Sequence, residues 1–160
     1  ALQHLVARHE VLRTSFEWEG DVPVQRVQAD LTFELEKGNG HTAEEMMEAF
    51  VRPFDLSKAP LLRAALGELE GARSLLLIDM HHIISDGTTL SLLIEEFMAL
   101  YEGKSLPAQR VQYKDYAQWQ NQRMSSGVLE QQEAYWLKQY EGEVPVLDLQ
   151  GDYPRPAVFS

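Results

Sequence analysis

The strongest constraint on this chain is a change of hydrophobic period near its middle. Leu75 to Ile78 form a continuous apolar run of strand length, whereas Leu90, Leu93, Ile94, Phe97, Met98 and Tyr101 recur at spacings of three and four. The first pattern predicts a buried strand and the second an amphipathic helix. The connection between them reads Met80-His81-His82-Ile83-Ile84-Ser85-Asp86-Gly87. Loops leaving the ends of buried strands are where α/β proteins present reactive groups, so this segment is the candidate site.

If strand geometry continues through the two histidines, they point to opposite faces and cannot enter one pocket by the same route. His82, nearer the loop, is the candidate base, because a neutral imidazole accepts a proton near pH 7 with little adjustment. His81 is then expected to face into the fold and brace the turn. Asp86 has three open roles: a partner for His82, a cap for the following helix, or half of an ion pair with a buried arginine. Gly87 permits positive φ or a close backbone approach by a bound group. The alternative is a plain strand end with satisfied histidines and a capped helix.

The rest of the chain supplies alternating elements. Leu2, Leu5, Val6, His9 and Leu12 trace one helical face, which places His9 among packed core residues. Phe16 and Trp18 alternate with polar residues, Glu19-Gly20-Asp21 turns, and Val22 to Val27 returns as a hairpin partner. Leu31, Phe33 and Leu35 alternate again. Thr42 and Glu45 have capping-box spacing ahead of a helix through Ala43, Met46, Met47, Phe50 and Val51 that Pro53 stops. Leu61 to Leu69 and Arg73 to Met80 read as a hairpin around Glu70-Gly71-Ala72, whose second arm delivers the histidines. After the connector from Gly103 to Pro107, helices are expected near Gln112 to Met124 and Val128 to Glu141. Trp119, Tyr135 and Trp136 are read there as core or inter-half packing residues, and Asp152 to Pro156 as a linker. The expected fold class is α/β, a mixed sheet packed with helices.

Composition narrows the function. At 160 residues the chain is one ordinary domain in size, able to bury roughly 70% of its unfolded surface. A formal charge of −11 argues against nonspecific nucleic-acid binding. It also makes an acidic protein partner awkward unless basic residues cluster locally. Cysteine is absent, which removes disulfides and thiolate metal sites. No apolar run approaches the roughly 20 residues of a membrane span, and no signal peptide is visible, so no membrane role and a cytoplasmic location are expected. His82 and Asp86 stand four apart, but on a strand end without a third ligand nearby no metal site is expected. Neither a Gly-x-Ser-x-Gly elbow nor a phosphate-cradling loop is present, and Glu95 and Glu96 are read as lying on the solvated side of their helix.

His81-His82-Ile83-Ile84-Ser85-Asp86-Gly87 resembles the HHxxxDG signature of condensation domains of nonribosomal peptide synthetases, relatives of chloramphenicol acetyltransferase. The resemblance extends to Arg8-His9-Glu10-Val11-Leu12-Arg13-Thr14-Ser15-Phe16, which looks like the family's RHExLRTxF block, and to Tyr113-Lys114-Asp115-Tyr116-Ala117-Gln118-Trp119, similar to its YxDYAxW block. Tyr135-Trp136-Leu137 followed by Asp152-Tyr153-Pro154-Arg155-Pro156 resembles the segment closing the family's first half. The resemblance implies a chloramphenicol acetyltransferase-like N-terminal half-domain over residues 1–160, truncated at both ends and inactive by itself. It implies amide-bond formation between donor and acceptor thioesters tethered by phosphopantetheine to carrier proteins, with no cofactor bound by the domain itself. It assigns His82, His81, Asp86 and Gly87 to catalysis and Arg13 to a structural ion pair with Asp86. Epimerisation, which uses the same signature, and a silent carrier-docking half-domain are the alternatives. The Ser85-Asp86-Gly87-Thr88-Thr89 context favours condensation.

Overall fold

The computed structural model describes residues 1–147, 149 and 151–153. Part of the expected linker, Pro154 to Pro156, lies outside them. The chain forms two compact units, Ala1–Gln118 and Trp119–Ser160. The first contains α1 (Leu2–Arg8), a 3-10 turn (Glu10–Arg13), β1 (Thr14–Glu19), β2 (Val22–Val27), β3 (Leu35–Lys37), α2 (Ala43–Phe50), β4 (Leu62–Leu69), β5 (Arg73–Met80) and α3 (Gly87–Tyr101). Helix α4 (Tyr113–Met124) begins in the first unit, and α5 (Val128–Gln139) lies in the second.

β1 and β2 pair antiparallel with Thr14 opposite Val27 and Glu19 opposite Val22, around a tight turn in which Gly20 adopts φ +62°. The second sheet runs β3-β4-β5, with β3 parallel and β5 antiparallel to β4. Its mixed character matches the α/β expectation. α2 begins at the anticipated capping box: the Thr42 hydroxyl accepts from the Glu45 N–H, and the Glu45 carboxylate accepts from the Thr42 N–H. The core joins Leu5, Val6, Leu12, Leu61, Leu62, Ile84 and Leu93. Side chains of this size each stabilise by about 1.5–3 kcal/mol when taken fully out of water.

Several expectations change. β5 is not a buried strand: Ile78 is 44% exposed, and β5 stands at the edge of its sheet. Its Leu76 and Ile78 border an apolar groove of about 160 Å³ with Leu90 and Ile94 of α3 instead of packing into the core. A continuous apolar run therefore reported strand propensity correctly and burial incorrectly. Leu31 and Phe33 do not extend β3. The backbone there is tied to α1, where the Gln3 carboxamide donates to the Leu31 carbonyl at 3.0 Å and accepts from the Phe33 N–H at 2.6 Å. In the helices that follow, Trp119, Tyr135 and Trp136 are more than half exposed and lie outside the core cluster formed among the described residues, which removes the core option and leaves packing against another half-domain. No helix among the described residues is long and apolar enough to cross a membrane.

Candidate functional site

Strand geometry stops at Met80, so the alternation expected to splay the two histidines does not apply to them. The ladder nonetheless reaches one residue further, because the His81 N–H donates to the Leu61 carbonyl at 3.0 Å. Past that point the chain turns. The His81 carbonyl accepts from the Ile84 N–H at 3.1 Å and from the Ser85 hydroxyl at 3.2 Å, while Ile84 itself is 4% exposed and seated in the core. A hydrogen-bonded turn and a buried side chain thus hold this loop at both ends.

Within it the two imidazoles differ. The His81 ring meets Phe54 edge-on at 6.1 Å, and its Nδ1 accepts from the Ile83 N–H at 3.0 Å. Phe54 also lies under the Arg63 guanidinium at 3.6 Å, and Arg63 is a buried cation held by Asp79 at 3.3 Å and the Arg52 carbonyl at 2.6 Å. His82 is exposed, and its Nδ1 lies 2.5 Å from the Ser85 carbonyl. A carbonyl only accepts, so Nδ1 carries the proton, and in the neutral ring Nε2 bears the lone pair. This is the chemistry a proton acceptor needs.

Asp86 takes the second of its three open roles. Its Oδ1 accepts from the Thr89 N–H at 2.7 Å and the Thr89 hydroxyl at 2.8 Å, capping α3. These bonds, the backbone one first, hold its carboxyl below the usual range, with a smaller contribution from the charge of nearby His82. The ion pair expected between Asp86 and Arg13 does not form. Arg13 donates to the Gln28 carbonyl and lies 3.7 Å from Glu10, because the 3-10 turn directs it toward β2 and along its own backbone. Of the two options for Gly87 the structure removes one: it is the first residue of α3 and its φ is not positive, while a Cβ there would meet none of the chain's own atoms within 4 Å.

His82, Ser85 and Asp86 share a cleft of about 560 Å³ with residues from the end of α1, the start of α3 and the connector into α4. His81, Gly87 and Arg13 do not line it. His9, expected in the core, does line it. His9 Nε2 is 2.5 Å from Glu96, which is only 15% exposed and also receives Arg8 at 3.1 Å. Glu96 is therefore not on a solvated face. It follows Leu93 by three residues and precedes Phe97 and Leu100 on the packed side of α3, so the same periodicity that located the helix could have found it. The connector residues Gln109, Val111 and Gln112 and the aromatic Tyr113 gave no sequence signal as site residues, because their place depends on side-chain bonds back to α1. Among the described residues no group of three His, Asp or Glu gathers to hold a metal.

The family model for the condensation domain matches residues 1–160, and the chain belongs to that family. It is 53% identical over 163 aligned residues to a plipastatin synthase of Bacillus subtilis (strain 168), covering all of this chain and 4% of that protein. To tyrocidine synthase 3 of Brevibacillus parabrevis it is 50% identical over 162 residues, covering all of this chain and 2% of that protein. The chain thus spans only a small part of the length of these relatives. Its fold is similar to the condensation domain of the monacolin K polyketide synthase, with a TM-score of 0.76 at 22% identity over 91% of this chain and 34% of that one. The likeness to that solved structure concerns the fold alone.

Proposed function

We infer that this chain supplies one half of a condensation domain that joins a donor acyl or peptidyl thioester to the amine of an acceptor aminoacyl thioester. The observation that carries this reading is that His82 lines the cleft with its Nδ1 committed to the Ser85 carbonyl, which leaves Nε2 as its other ring nitrogen, in a chain of the condensation family. The acceptor amine attacks the thioester carbonyl carbon and gives up a proton to His82 Nε2. The tetrahedral intermediate then expels the phosphopantetheine thiolate, which takes a proton from the imidazolium and leaves as the thiol. A thioester is already activated, so orientation and one proton transfer are the main demands on the protein. His81 and Asp86 act by holding the loop and the helix start on either side of His82, and Gly87, outside the cleft at the first position of α3, keeps the space beside the helix start open. No cofactor of the domain itself enters the scheme, since both substrates arrive on carrier proteins.

The remaining half of the site is assigned to a C-terminal half-domain, a reading supported by a fold neighbour of which this chain covers about a third. The test is amide product from donor- and acceptor-loaded carrier proteins, with this chain alone and with the remaining half supplied. Product is expected only in the second case, because half a site forfeits much of a proximity term worth up to roughly 7–11 kcal/mol. Turnover by the chain alone would overturn the half-domain assignment. Exchange of the α-proton on a tethered residue without amide product would identify an epimerisation domain instead.

A further inference from the structure

The polar groups lining the cleft are mostly committed to one another. Both ends of the Gln112 carboxamide are used: Nε2 donates to the Arg8 carbonyl at 3.0 Å and Oε1 accepts from the Glu10 N–H at 3.1 Å. The Asp86 carboxylate caps α3 and the Ser85 hydroxyl closes the His81 turn. His9 is bonded at both nitrogens, to Glu96 at 2.5 Å through Nε2 and to the Gln109 amide nitrogen at 3.2 Å through Nδ1. Gln109 differs: its amide nitrogen meets His9, while its carboxamide oxygen has no partner among the described residues.

The bonding pattern fixes which way that amide faces. A carboxylate only accepts, so the His9 proton facing Glu96 sits on Nε2, and the Gln109 NH2 group, which only donates, makes Nδ1 the acceptor. That contact leaves the Gln109 carboxamide oxygen as the end without a bond to the ring. Glu96 is itself held by Arg8, whose guanidinium reaches on to the Pro107 carbonyl at 2.5 Å in the same connector. The result is a relay from Arg8 through Glu96 and His9 that orients one exposed amide at the cleft.

We propose that Gln109 is a specificity-determining contact that accepts a hydrogen bond from an N–H group of the tethered substrate, and that His9 is the positioning residue setting its orientation. The inference rests on the cleft being the condensation site. Two N–H sources share this chemistry, the attacking amine and the amides of the phosphopantetheine arm. His82 and Gln109 then divide the work: the first accepts a proton and the second fixes where the substrate lies.

The experiment compares the intact synthetase module containing this chain with Gln109→Leu, measuring amide formation as each loaded carrier is varied. Gln109→Leu is expected to raise KM for the loaded acceptor carrier about tenfold while kcat stays within twofold, a factor of ten corresponding to about 1.4 kcal/mol. Repeating it with an acceptor thioester lacking the arm's amides names the donor group. A persistent effect assigns the amine, and a vanished one assigns the arm. His9→Phe should reproduce the KM change, and the double variant should add nothing to it. Unchanged KM values in Gln109→Leu would overturn the contact, and multiplicative effects in the double variant would overturn the relay. Nitrogen NMR on the unsubstituted protein decides the positioning separately, with His9 expected to be protonated on Nε2 and bare on Nδ1. The reverse tautomer would contradict it. Absence of amide product from the unsubstituted module would strike the proposed condensation activity, whereas the ring tautomer would still decide the relay.

Discussion

The His81–Asp86 loop and the connector that supplies Gln109, Val111 and Gln112 line the same cleft but are held in different ways. The loop continues a β-ladder at the His81 N–H and drives Ile84 into the core beside Leu12 and Leu93. The connector buries no large apolar side chain. It is strapped to the end of α1 by Arg8 to Pro107, Gln109 to His9 and Gln112 to Arg8 and Glu10. Burial is non-directional and worth about 1.5–3 kcal/mol per large side chain, whereas a net hydrogen bond contributes about 0.5–1.5 kcal/mol. The wall that carries His82 is thereby fixed by the fold itself, and the wall that carries Gln109 is fixed by a local network that opens at lower cost. Proton transfer tolerates little displacement, while substrate fit gains from adjustment, so the division suits the proposed roles.

The largest expected effect that separates the walls is on Ile84. Ile84→Ala should lower unfolding stability by about 2–5 kcal/mol, since it removes a core side chain and leaves a cavity, and denaturant titration will show the loss in the midpoint. A change below about 1 kcal/mol, outside the range for a buried side chain, would mean that the loop is not anchored through the core. Gln112→Ala should cost about 1–2 kcal/mol, from two lost bonds and the part-buried backbone groups they served. Hydrogen exchange should then quicken in the connector and at Glu10 while the β4 and β5 amides stay protected. Uniform acceleration across the unit would erase the distinction between the walls.

A smaller effect concerns acid. The bonds from Thr89 hold the Asp86 carboxyl below its ordinary value. Its cap contribution is therefore fully present above the unfolded carboxyl value and is lost as pH falls through the lower folded one. The Thr89 amide signal should follow that transition, and Asp86→Asn should remove it. A transition at the ordinary carboxyl value would show that the cap does not favour the charged form.

How legible this was from sequence depends on the range of the interactions. The period switch located β5 and α3, and the Thr42 and Glu45 pair located the start of α2, because the causes lie within a few residues. Burial was harder. Leu76 and Ile78 are as apolar as core residues, but exposure depends on what packs against the sheet, which no local pattern records. The Arg13 and Asp86 pairing failed because each group found a nearer partner, Gln28 and Thr89 respectively. The Arg8, His9 and Glu96 cluster joins residues far apart in the chain, and it was missed even though Glu96 sits on the packed stripe of its helix. His82 was singled out as a loop residue, but its tautomer depends on a carbonyl whose position only the folded turn provides.

The division between a chemical wall and a recognition wall is tested most directly by steady-state condensation kinetics of His82→Ala in the intact module, set beside Gln109→Leu. The account predicts that His82→Ala lowers kcat about 100-fold or more, the range of a lost general base, with KM for both loaded carriers nearly unchanged. Gln109→Leu should show the opposite split. Wild-type kcat in a folded His82→Ala protein would contradict the assignment of His82 as the proton acceptor.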